Sequence, residues 1–551
     1  MDSPDAPKTL SPESLSPDKD GWLLIGFLAL LFCWNLGRVE LSVTDEARSA
    51  VIVRDMVEDG HWLLPRTPDG YLCEKPLAYY GTAALLGTLL GINEWTLRLV
   101  SVFLGIATLL MTWILARLYG PPRAARIAVV ALASNILFIG SARDAMVDMT
   151  LAFFLTAGLT AHFAARLGRL SPMKGALLAG LAFGFALLSK GPLGLAFPIA
   201  VVGGDAILEH RGRFWRAAVW WKEGLVTAVV ALAIACLWYV PGILRGGKEF
   251  VETSILSENF RMPVGEAKGI GVSHKKPPLY YLGIQLACIL PMLPLLPTLV
   301  GWVRDSASGV ARRNLLAWLC FGFLLFQIPV NKRVYYLIPL QPAVAVMIAL
   351  AAERALRRES DVVLRRSAMI AGSIIVLGVV ALGIVGMTPS MLSSIRDGTV
   401  SAALGHQKVW IASGCFILFL AAARLIQAST SGARVGWSCV LAVLIIAFRF
   451  GVGDRVESEF NRTRPFVEAM APEVPIAQTP VIIPPIRGYS LEFYWPRRLV
   501  RDEALAQHSR YILVPRQKLA TIPTPYETLG TWKYGPEGRD DVLLLWREQA
   551  R

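Results

Sequence analysis

The fold is decided by two neighbouring stretches, LVSVFLGIATLLMTWIL at Leu99–Leu115 and AARIAVVALASNILFI at Ala124–Ile139. The first contains no charged residue, and the second contains only Arg126. A helix that crosses a bilayer needs about 20 mainly apolar residues, whereas the strands of a membrane barrel alternate between apolar and polar residues over about 10. Neither stretch alternates, so both predict membrane-spanning helices.

Similar apolar runs recur along the chain, and we expect about 13 spans of the length that a bilayer requires. The other predicted spans are Trp22–Leu36, Met149–Ala165, Gly175–Leu188, Pro192–Leu208, Gly224–Leu244, Leu279–Trp302, Leu315–Ile328, Val334–Ala351, Met369–Met387, Val409–Ile426 and Val435–Phe448. Residues 1–452 are therefore predicted to form an all-α polytopic membrane domain.

The composition supports this class and excludes others. Of the 551 residues, 54% are hydrophobic and only 17% are charged, against roughly 25% charged residues in ordinary soluble domains. A soluble enzyme, a disordered chain and a fibrous protein are therefore excluded. The net charge of +14 reflects an excess of Lys and Arg, which membrane proteins typically carry in their cytoplasmic loops. Because the membrane topology accounts for this charge, we expect no nucleic-acid partner. The basic connections are Arg117–Arg126, Arg166–Lys174, Arg211–Arg216, Arg304–Arg313 and Arg354–Arg366.

Charges and prolines return at the C-terminal end of the chain, where the apolar runs shrink to the length of strands. Residues 453–551 are therefore predicted to form a small α/β domain. The basic connections place the N-terminal tail on the cytoplasmic side, so an odd number of spans places this domain on the outer face of the membrane. The predicted strands are Val481–Ile483, Tyr511–Val514 and Val542–Trp546, and the predicted helices are Arg464–Met470 and Asp502–His508.

The first outer connection, Leu41–Trp95, is far longer than a turn. It contains Thr44-Asp45-Glu46-Ala47-Arg48, in which Thr44 or Asp45 can cap an amphipathic helix that lies along the membrane surface. Asp45 and Arg48 are three residues apart and share one face of the first turn. This spacing allows two interpretations. The segment is either a solvated helix with an internal Asp45–Arg48 ion pair or part of a functional site.

A second cluster, Tyr71–Tyr80, contains Glu74-Lys75-Pro76. Lys75 and Pro76 would precede another surface helix or a re-entrant segment, whose N-terminal end favours anions. Anchoring of the tyrosines at the membrane interface and contact of Lys75 with lipid phosphates are the structural alternatives.

Three more charged clusters lie on the same predicted side of the membrane, at Ala142–Asp148, Ser189–Pro192 and Asn331–Tyr336. Charges at membrane borders are costly and mark binding sites or pathways. The sequence has no Walker or GxGxxG loop, so the pattern predicts a site for a lipid phosphate. The cations suited to phosphate are Arg48, Lys75, Lys190, Arg261, Lys332 and Arg333, and the acidic groups are Asp45 and Asp148.

Together these motifs resemble the GT-C integral-membrane glycosyltransferases, and most closely the 4-amino-4-deoxy-L-arabinose transferases that act on lipid A. The resemblance implies inverting transfer of this sugar from undecaprenyl phosphate to a lipid A phosphate at the outer face of a bacterial inner membrane. The product would carry less negative charge and resist cationic peptides such as polymyxin. One departure is visible, because related chains more often read Glu-Lys-Pro-Pro-Leu-Tyr-Tyr-Trp where this chain has Glu74-Lys75-Pro76-Leu77-Ala78-Tyr79-Tyr80-Gly81.

The resemblance also implies roles for individual residues. Asp45 matches the catalytic acid–base position, and Asp148 is assigned to the catalytic group with it. Lys75 matches the ligand of the donor phosphate, with Arg48 and Tyr335 assisting. The residues expected to line the substrate cavity are Tyr71, Glu74, Tyr79, Lys190, Arg261 and Lys332.

No cofactor is expected for the chemistry. Glu74 and His274 could share a structural zinc ion, although two ligands fall short of a normal zinc site.

Two rival functions remain open at this point. One is transfer of mannose or another sugar from a polyprenyl phosphate to a protein or glycan. The other is transport of a lipid-linked solute, which predicts charged groups facing both sides of the membrane.

Overall fold

The computed structural model describes most of the 551-residue chain. The described residues are 15–41, 45–67, 70–210, 221–261, 276–277, 279–305, 309–357, 361–388, 404–460, 463–475, 478, 480–483, 489–496, 498–501, 505, 509–522, 526–534 and 540–546.

The first part of the chain is helical. Its helices are α1 (Lys19–Cys33), α2 (Asp45–Glu58), α3 (Ala78–Leu90), α4 (Glu94–Tyr119), α5 (Pro122–Ala133), α6 (Ile136–Arg143), α7 (Val147–Arg166), α8 (Pro172–Lys190), α9 (Leu193–Glu209), α10 (Trp221–Phe250), α11 (Tyr280–Cys288), α12 (Thr298–Arg304), α13 (Gly309–Gln327), α14 (Gln341–Leu356), α15 (Val362–Met387), α16 (Lys408–Gln427) and α17 (Ser431–Phe448). Helix α10 continues as a π-helix over Val251–Arg261, and a 3-10 turn, Val334–Leu340, precedes α14.

Within the described residues, nine helices are long and apolar enough to cross a membrane, or ten if the bent pair α5–α6 is counted as one span. The predicted spans at Trp22–Leu36 and Pro192–Leu208 correspond to the shorter helices α1 and α9. The predicted span Leu279–Trp302 is divided between α11, a 3-10 turn and α12. The polytopic all-α class is confirmed, whereas the total of about 13 spans stays a prediction.

The centre of the bundle is formed by α14 and the helices around it. In the span that includes α14, 83% of the apolar window is buried, against 17% in α15. Polar groups at this depth need partners inside the protein. Gln341 accepts a hydrogen bond from the amide of Asn135 at 2.8 Å and donates to Gln285 at 2.9 Å. This network joins α14 to α11 and to the α5–α6 bend.

Helices α8 and α9 are joined by a tight turn at the sequence that separates the two predicted spans. Helix α8 ends at Lys190, and Gly191 adopts a φ of 64°, which a residue with a side chain rarely takes. Two residues into α9, a Cβ on Gly194 would lie 2.3 Å from the backbone of Ala186 and Leu187. Glycine therefore allows the two helices to touch and fixes the position of Lys190.

Among the described residues, helix α17 continues through a π-helical turn, Arg449–Gly453, into α18 (Asp454–Phe460), and the C-terminal part that follows contains α19 (Thr463–Met470), α20 (Tyr489–Tyr494) and a five-stranded sheet. The strands are β1 (Val481–Ile482), β2 (Val500–Arg501), β3 (Tyr511–Pro515), β4 (Glu527–Tyr534) and β5 (Asp540–Trp546), in the order β2-β1-β3-β5-β4. Strand β1 is parallel to β2 and β3, and β5 is antiparallel to β3 and β4.

Both faces of this sheet are covered by apolar side chains. Ile482, Leu513 and Leu544 pack on one face with Trp495, while alternate residues such as Ile512 pack on the other. Alternate residues of a strand point to opposite faces, so the continuous apolar runs correctly predicted buried strands. The predicted helix Arg464–Met470 is also confirmed as α19. The predicted helix Asp502–His508 lies outside the described residues except for Leu505.

The C-terminal domain packs against the first long connection. The hydroxyl of Tyr494 in α20 accepts a hydrogen bond from Leu41 N at 2.9 Å and donates to Glu94 at 2.7 Å. Arg54 of α2 donates to the carbonyl of Phe493 at 3.3 Å. Helix α2 is therefore enclosed between α3 and the C-terminal domain, and most of its residues are buried.

The α8–α9 contact predicts the effect of a single methyl group. Gly194→Ala should destabilise the fold by about 1–3 kcal/mol, because the new Cβ overlaps backbone that cannot rotate away. Gly203→Ala in the same helix is the matched control, since a Cβ there meets no atom within 4 Å. Thermal unfolding of both variants in detergent would test this, and equal midpoints would contradict it.

Candidate active site

The central group is Asp45, the first residue of α2. Its Oδ2 accepts a hydrogen bond from Arg333 Nη1 at 2.7 Å and one from the hydroxyl of Tyr335 at 2.7 Å. Arg333 Nη1 also donates to the Tyr335 hydroxyl at 2.6 Å. Arg333 precedes the 3-10 turn that contains Tyr335. The start of α2 and the segment before α14 therefore meet at one carboxylate.

The surrounding charges decide the protonation state of Asp45. Burial alone raises the pKa of this carboxyl, but Lys75, Arg333 and the Tyr335 hydroxyl lower it further than burial raises it. The net pKa lies below the usual value of 3.8. Asp45 is therefore ionised throughout the neutral range and is a weak base.

Lys75 lies beside Asp45 in the segment before α3. Of the neighbouring charges, that of Lys75 lowers the pKa of Asp45 most. Within the part of the chain that the structure describes, the Lys75 ammonium makes no ion pair and no hydrogen bond. In contrast, Arg48 Nη2 is bound to Glu74 Oε2 at 2.7 Å. Arg48 thus pairs with the Tyr71–Tyr80 cluster, so the alternative of an internal Asp45–Arg48 ion pair is wrong.

A second carboxylate lies on the other side of Tyr335. Asp148, at the start of α7, forms a buried ion pair with Lys190, the last residue of α8. The Lys190 ammonium also lies 4.4 Å from the centre of the Tyr336 ring and 5.7 Å from that of Tyr335. A cation over an aromatic face is attracted by the ring quadrupole. The two tyrosines therefore connect the Asp148–Lys190 pair to Asp45.

The backbone beneath the site is held by a buried arginine of α4. Arg98 binds both carboxylate oxygens of Glu46 at 2.9 Å. Its remaining N–H groups donate to the carbonyls of Leu36, Val39 and Glu40 at 2.7–3.1 Å. All five donors of the guanidinium are used in this way. Arg98 therefore fixes the position of the backbone next to Asp45.

Glu46 extends this support to the second carboxylate. Its Oε1 also accepts a hydrogen bond from Ala145 N at 2.8 Å, three residues before Asp148. Burial, and next the charge of Glu46, raise the pKa of neighbouring Asp144 to about 8. Asp144 is therefore largely protonated at neutral pH and does not compete with Glu46 for the charge of Arg98.

Two of the predicted cavity residues serve the fold instead. Tyr79 is fully buried and donates its hydroxyl to the carbonyl of Leu97 at 3.1 Å, so it packs in the protein core and does not line the site. Lys332 is also buried, and its ammonium donates to the carbonyls of Gln327 and Pro329 at the end of α13. A cation is favourable at this end of a helix because the helix dipole is negative there.

The other predicted residues fall in three groups. The structure brings together Asp45, Arg48, Glu74, Lys75, Asp148, Lys190 and Tyr335. Tyr71 is 59% exposed and takes part in none of these contacts. The side chain of Arg261, and His274 altogether, lie outside the described residues, so the Glu74–His274 zinc site stays a prediction. Glu74 itself is engaged by Arg48.

Sequence reasoning counted Arg333 among the phosphate-binding cations but did not identify it as the partner of Asp45, and it missed Tyr336. Asp45 and Arg333 are 288 residues apart, so no local spacing links them. The signal that was available is the run Lys332-Arg333-Val334-Tyr335-Tyr336 directly before a span. In the structure Arg333 stands directly before a 3-10 turn that contains both tyrosines, and this brings all three side chains to the same site.

The chemistry of the site follows from its charges. Four cations (Arg48, Lys75, Lys190 and Arg333) face three carboxylates (Asp45, Glu74 and Asp148). The positive charge in excess favours an anion, and the unpaired ammonium of Lys75 is placed to receive it. Asp45 and the tyrosine hydroxyl supply polar groups that can orient a bound molecule.

Comparison with known proteins identifies the class. A family model described as dolichyl-phosphate-mannose-protein mannosyltransferase matches residues 22–256. Over 96% of its length the chain has the fold of a solved structure of ArnT, so the predicted resemblance is confirmed at the level of the fold.

More specific similarities lie within this class. The crystal structure of ArnT from Cupriavidus metallidurans bound to undecaprenyl phosphate superposes with a TM-score of 0.76 at 20% identity, covering 96% of this chain and 98% of that one. Among sequence relatives, the undecaprenyl phosphate-alpha-4-amino-4-deoxy-L-arabinose arabinosyl transferase of Erwinia tasmaniensis is 30% identical over 332 residues, which are 59% of this chain and 57% of that protein. The enzyme of the same name from Aeromonas salmonicida is 27% identical over 67% of this chain and 66% of its own length. The matched part is thus less than two thirds of each of these two relatives.

The support beneath Asp45 predicts a large stability effect. Arg98→Gln leaves the Glu46 carboxylate buried without its partner and should cost about 3–5 kcal/mol. The matched control is Arg126→Gln, which removes a more exposed pairing with Asp18 and Asp20 and should cost only about 0–1 kcal/mol. Denaturant unfolding in detergent measures both values. Similar losses in the two variants would show that the Arg98 contacts do not carry this support.

Proposed function

We propose that this protein is an inverting glycosyltransferase that moves 4-amino-4-deoxy-L-arabinose from undecaprenyl phosphate to a phosphate of lipid A. The names of the relatives and the undecaprenyl phosphate bound to the ArnT of the same fold support the donor and the sugar. The acceptor is supported by the resemblance of the motifs and by the chemistry of the site.

The observation that carries the proposal is the free ammonium of Lys75 beside the ionised Asp45. A polyprenyl phosphate sugar is a phosphodiester, with one negative charge before transfer. When the bond between its phosphate oxygen and sugar C1 breaks, the leaving phosphate becomes a monoester and gains a second charge. An ammonium that is not already paired stabilises this developing charge better than one that must first break an ion pair.

Transfer then follows a balanced displacement. An oxygen of the lipid A phosphate attacks C1 of the sugar on the face opposite the leaving phosphate. The new C1–O bond forms as the old one breaks, the bonding electrons leave with the donor phosphate, and the configuration at C1 inverts. Lys75 receives the leaving phosphate, with Arg48 in support.

The pKa of Asp45 favours a phosphate acceptor over a hydroxyl. A sugar or protein hydroxyl must lose a proton as it attacks, and a carboxylate with a lowered pKa is a weak base for that task. A phosphate monoester has its second pKa near 6 and already carries nearly two charges at neutral pH. Asp45 therefore orients the acceptor or pairs with the ammonium of the donor sugar, and removes a proton only from the monoanionic acceptor.

We infer that the reaction takes place at the periplasmic face of a bacterial inner membrane. The C-terminal domain and the candidate active site lie at the same end of the bundle, since both contact α2. The basic connections of the chain are expected at the other, cytoplasmic end. Adding an aminosugar to lipid A lowers the negative surface charge, which would weaken the binding of cationic peptides.

A second candidate is transfer of another sugar to a protein, because the family model that matches residues 22–256 describes a mannosyltransferase. The two candidates are separated by incubating the purified protein with undecaprenyl phosphate aminoarabinose or with a polyprenyl phosphate mannose, each with either lipid A or an acceptor peptide. Addition of the aminopentose mass to lipid A alone supports the first candidate. Modification of the peptide and not of lipid A would overturn it.

Loss of the two groups beside the donor phosphate should abolish most transfer. Lys75→Gln removes the cation that stabilises the leaving phosphate and should reduce kcat about 100-fold or more. Asp45→Asn should also reduce kcat strongly, since it removes the orienting charge. Lys174→Gln, near the other end of α8, is the control and should retain full activity. The rates are measured with lipid A and detected by mass, and near wild-type transfer by Asp45→Asn at pH 7 would refute its role.

The pH profile should report the acceptor. As the pH falls below about 6, the acceptor phosphate gains a proton and becomes a poorer nucleophile, so kcat should decrease. Asp45 has a lowered pKa and stays ionised across this range. The acidic limb should therefore keep its midpoint in whatever transfer remains in Asp45→Asn. A limb that disappears in this variant would instead assign the titration to Asp45.

A further inference from the structure

The ion pair between Arg333 and Asp45 leaves most of the guanidinium unused. Only Nη1 is engaged, by Asp45 Oδ2 and the Tyr335 hydroxyl. Within the described residues, Nε and Nη2 of Arg333 make no hydrogen bond. An arginine presents five N–H donors in a planar fork that fits two oxygens of a phosphate. The hold of Arg333 on Asp45 therefore rests on the single Nη1 group, whereas a phosphate can engage two N–H groups of the fork at once.

Arg333 differs in this respect from the other paired cations of the site. The side chains of Arg333 and Asp45 are 31% and 33% exposed, whereas those of Lys190 and Asp148 are 10% and 3% exposed. Arg48 is also more enclosed, with 23% of its side chain exposed. An ion pair that is partly open to solvent costs less to separate than one that is fully buried. The contact between Arg333 and Asp45 is thus the one that a charged ligand exchanges most readily.

The position of Lys75 brings such a ligand to Arg333. Both cations act on the same carboxylate, Lys75 through its charge and Arg333 through a direct hydrogen bond. A phosphate held by Lys75 therefore lies next to the Arg333–Asp45 pair. The phosphate and the Asp45 carboxylate offer the same kind of oxygen to the same guanidinium.

We propose that Arg333 is a further phosphate ligand, held in reserve by Asp45, and that the donor phosphate and Asp45 compete for its guanidinium. In the empty protein Arg333 neutralises Asp45. When the donor phosphate binds, Arg333 turns to it, and Asp45 becomes free to engage the second substrate. Asp45 is thus released from Arg333 only in protein that has bound the donor.

This role of Arg333 rests on the proposed function, because it requires that the site binds a polyprenyl phosphate. Competition for Arg333 predicts a coupling free energy between the Asp45 and Arg333 substitutions, which simple charge effects do not produce. If Arg333 stayed on Asp45, removing the Asp45 charge would change phosphate affinity equally whether or not Arg333 were present. Under competition, removing Asp45 also releases Arg333, so the two substitutions are coupled.

The experiment is a double-mutant cycle on the full-length protein in detergent, with geranylgeranyl phosphate as the probe. Its Kd is measured calorimetrically at about pH 8, where the phosphate is a dianion. Asp45→Asn should tighten binding roughly 10-fold in the wild-type background and only about 2-fold or less with Arg333→Gln. Arg333→Lys keeps the charge but not the fork, and should give an intermediate coupling.

Two controls fix the interpretation. Arg126 lies in α5 and pairs with Asp18 at the start of α1, away from the candidate site. Arg126→Gln should therefore leave the Kd and the effect of Asp45→Asn unchanged. Geranylgeraniol, which lacks the phosphate, should bind without coupling to either residue. If the wild type does not bind geranylgeranyl phosphate, the proposed function fails, and the role of Arg333 with it. If the wild type binds and the two substitutions are additive, the proposed function stands and the competition for Arg333 is wrong.

Discussion

The candidate active site depends on the buried ion pair between Arg98 and Glu46. Charges are expensive inside a membrane protein unless every donor and acceptor is satisfied, and Arg98 meets this condition by using all its N–H groups on Glu46 and three carbonyls. Because Glu46 follows Asp45 directly and also binds Ala145, one interaction sets the positions of both carboxylates. The reactive groups themselves can then remain partly exposed.

The site separates charges that build it from charges that are available to a ligand. Lys190 is committed to Asp148 and Lys332 to helix carbonyls, so these cations order the segments around the site. Lys75 has no such commitment, and Arg333 has a weak one. This division follows burial, because a buried pair cannot exchange its partner without a large desolvation penalty, whereas an exposed pair can. The net charge of a cluster therefore says less about its function than the exposure of each pair.

The fold class could be predicted from the sequence, and so could those site residues that belong to recognisable motifs. Apolar runs predicted the helices, continuous short runs predicted β1, β3 and β5, and Asp45 and Lys75 were found through their motifs. Tyr79 was misassigned because its motif does not show that its hydroxyl reaches the carbonyl of Leu97, 18 residues away, inside the core. The Asp45–Arg333 pair could not be predicted, since it joins segments 288 residues apart through a 3-10 turn. Local periodicity identifies elements, but it carries no information about which ends meet.

The enclosure of α2 by the C-terminal domain also has a consequence in time. Leu41 and Tyr494, which are hydrogen-bonded to each other, are separated by 453 residues. At about 5–20 residues per second the second is synthesised roughly 20 s or more after the first. The helix that begins with Asp45 therefore lacks this cover while the spans are being synthesised. The contacts that enclose α2 form last, so the environment of Asp45 is completed only when the chain is nearly finished.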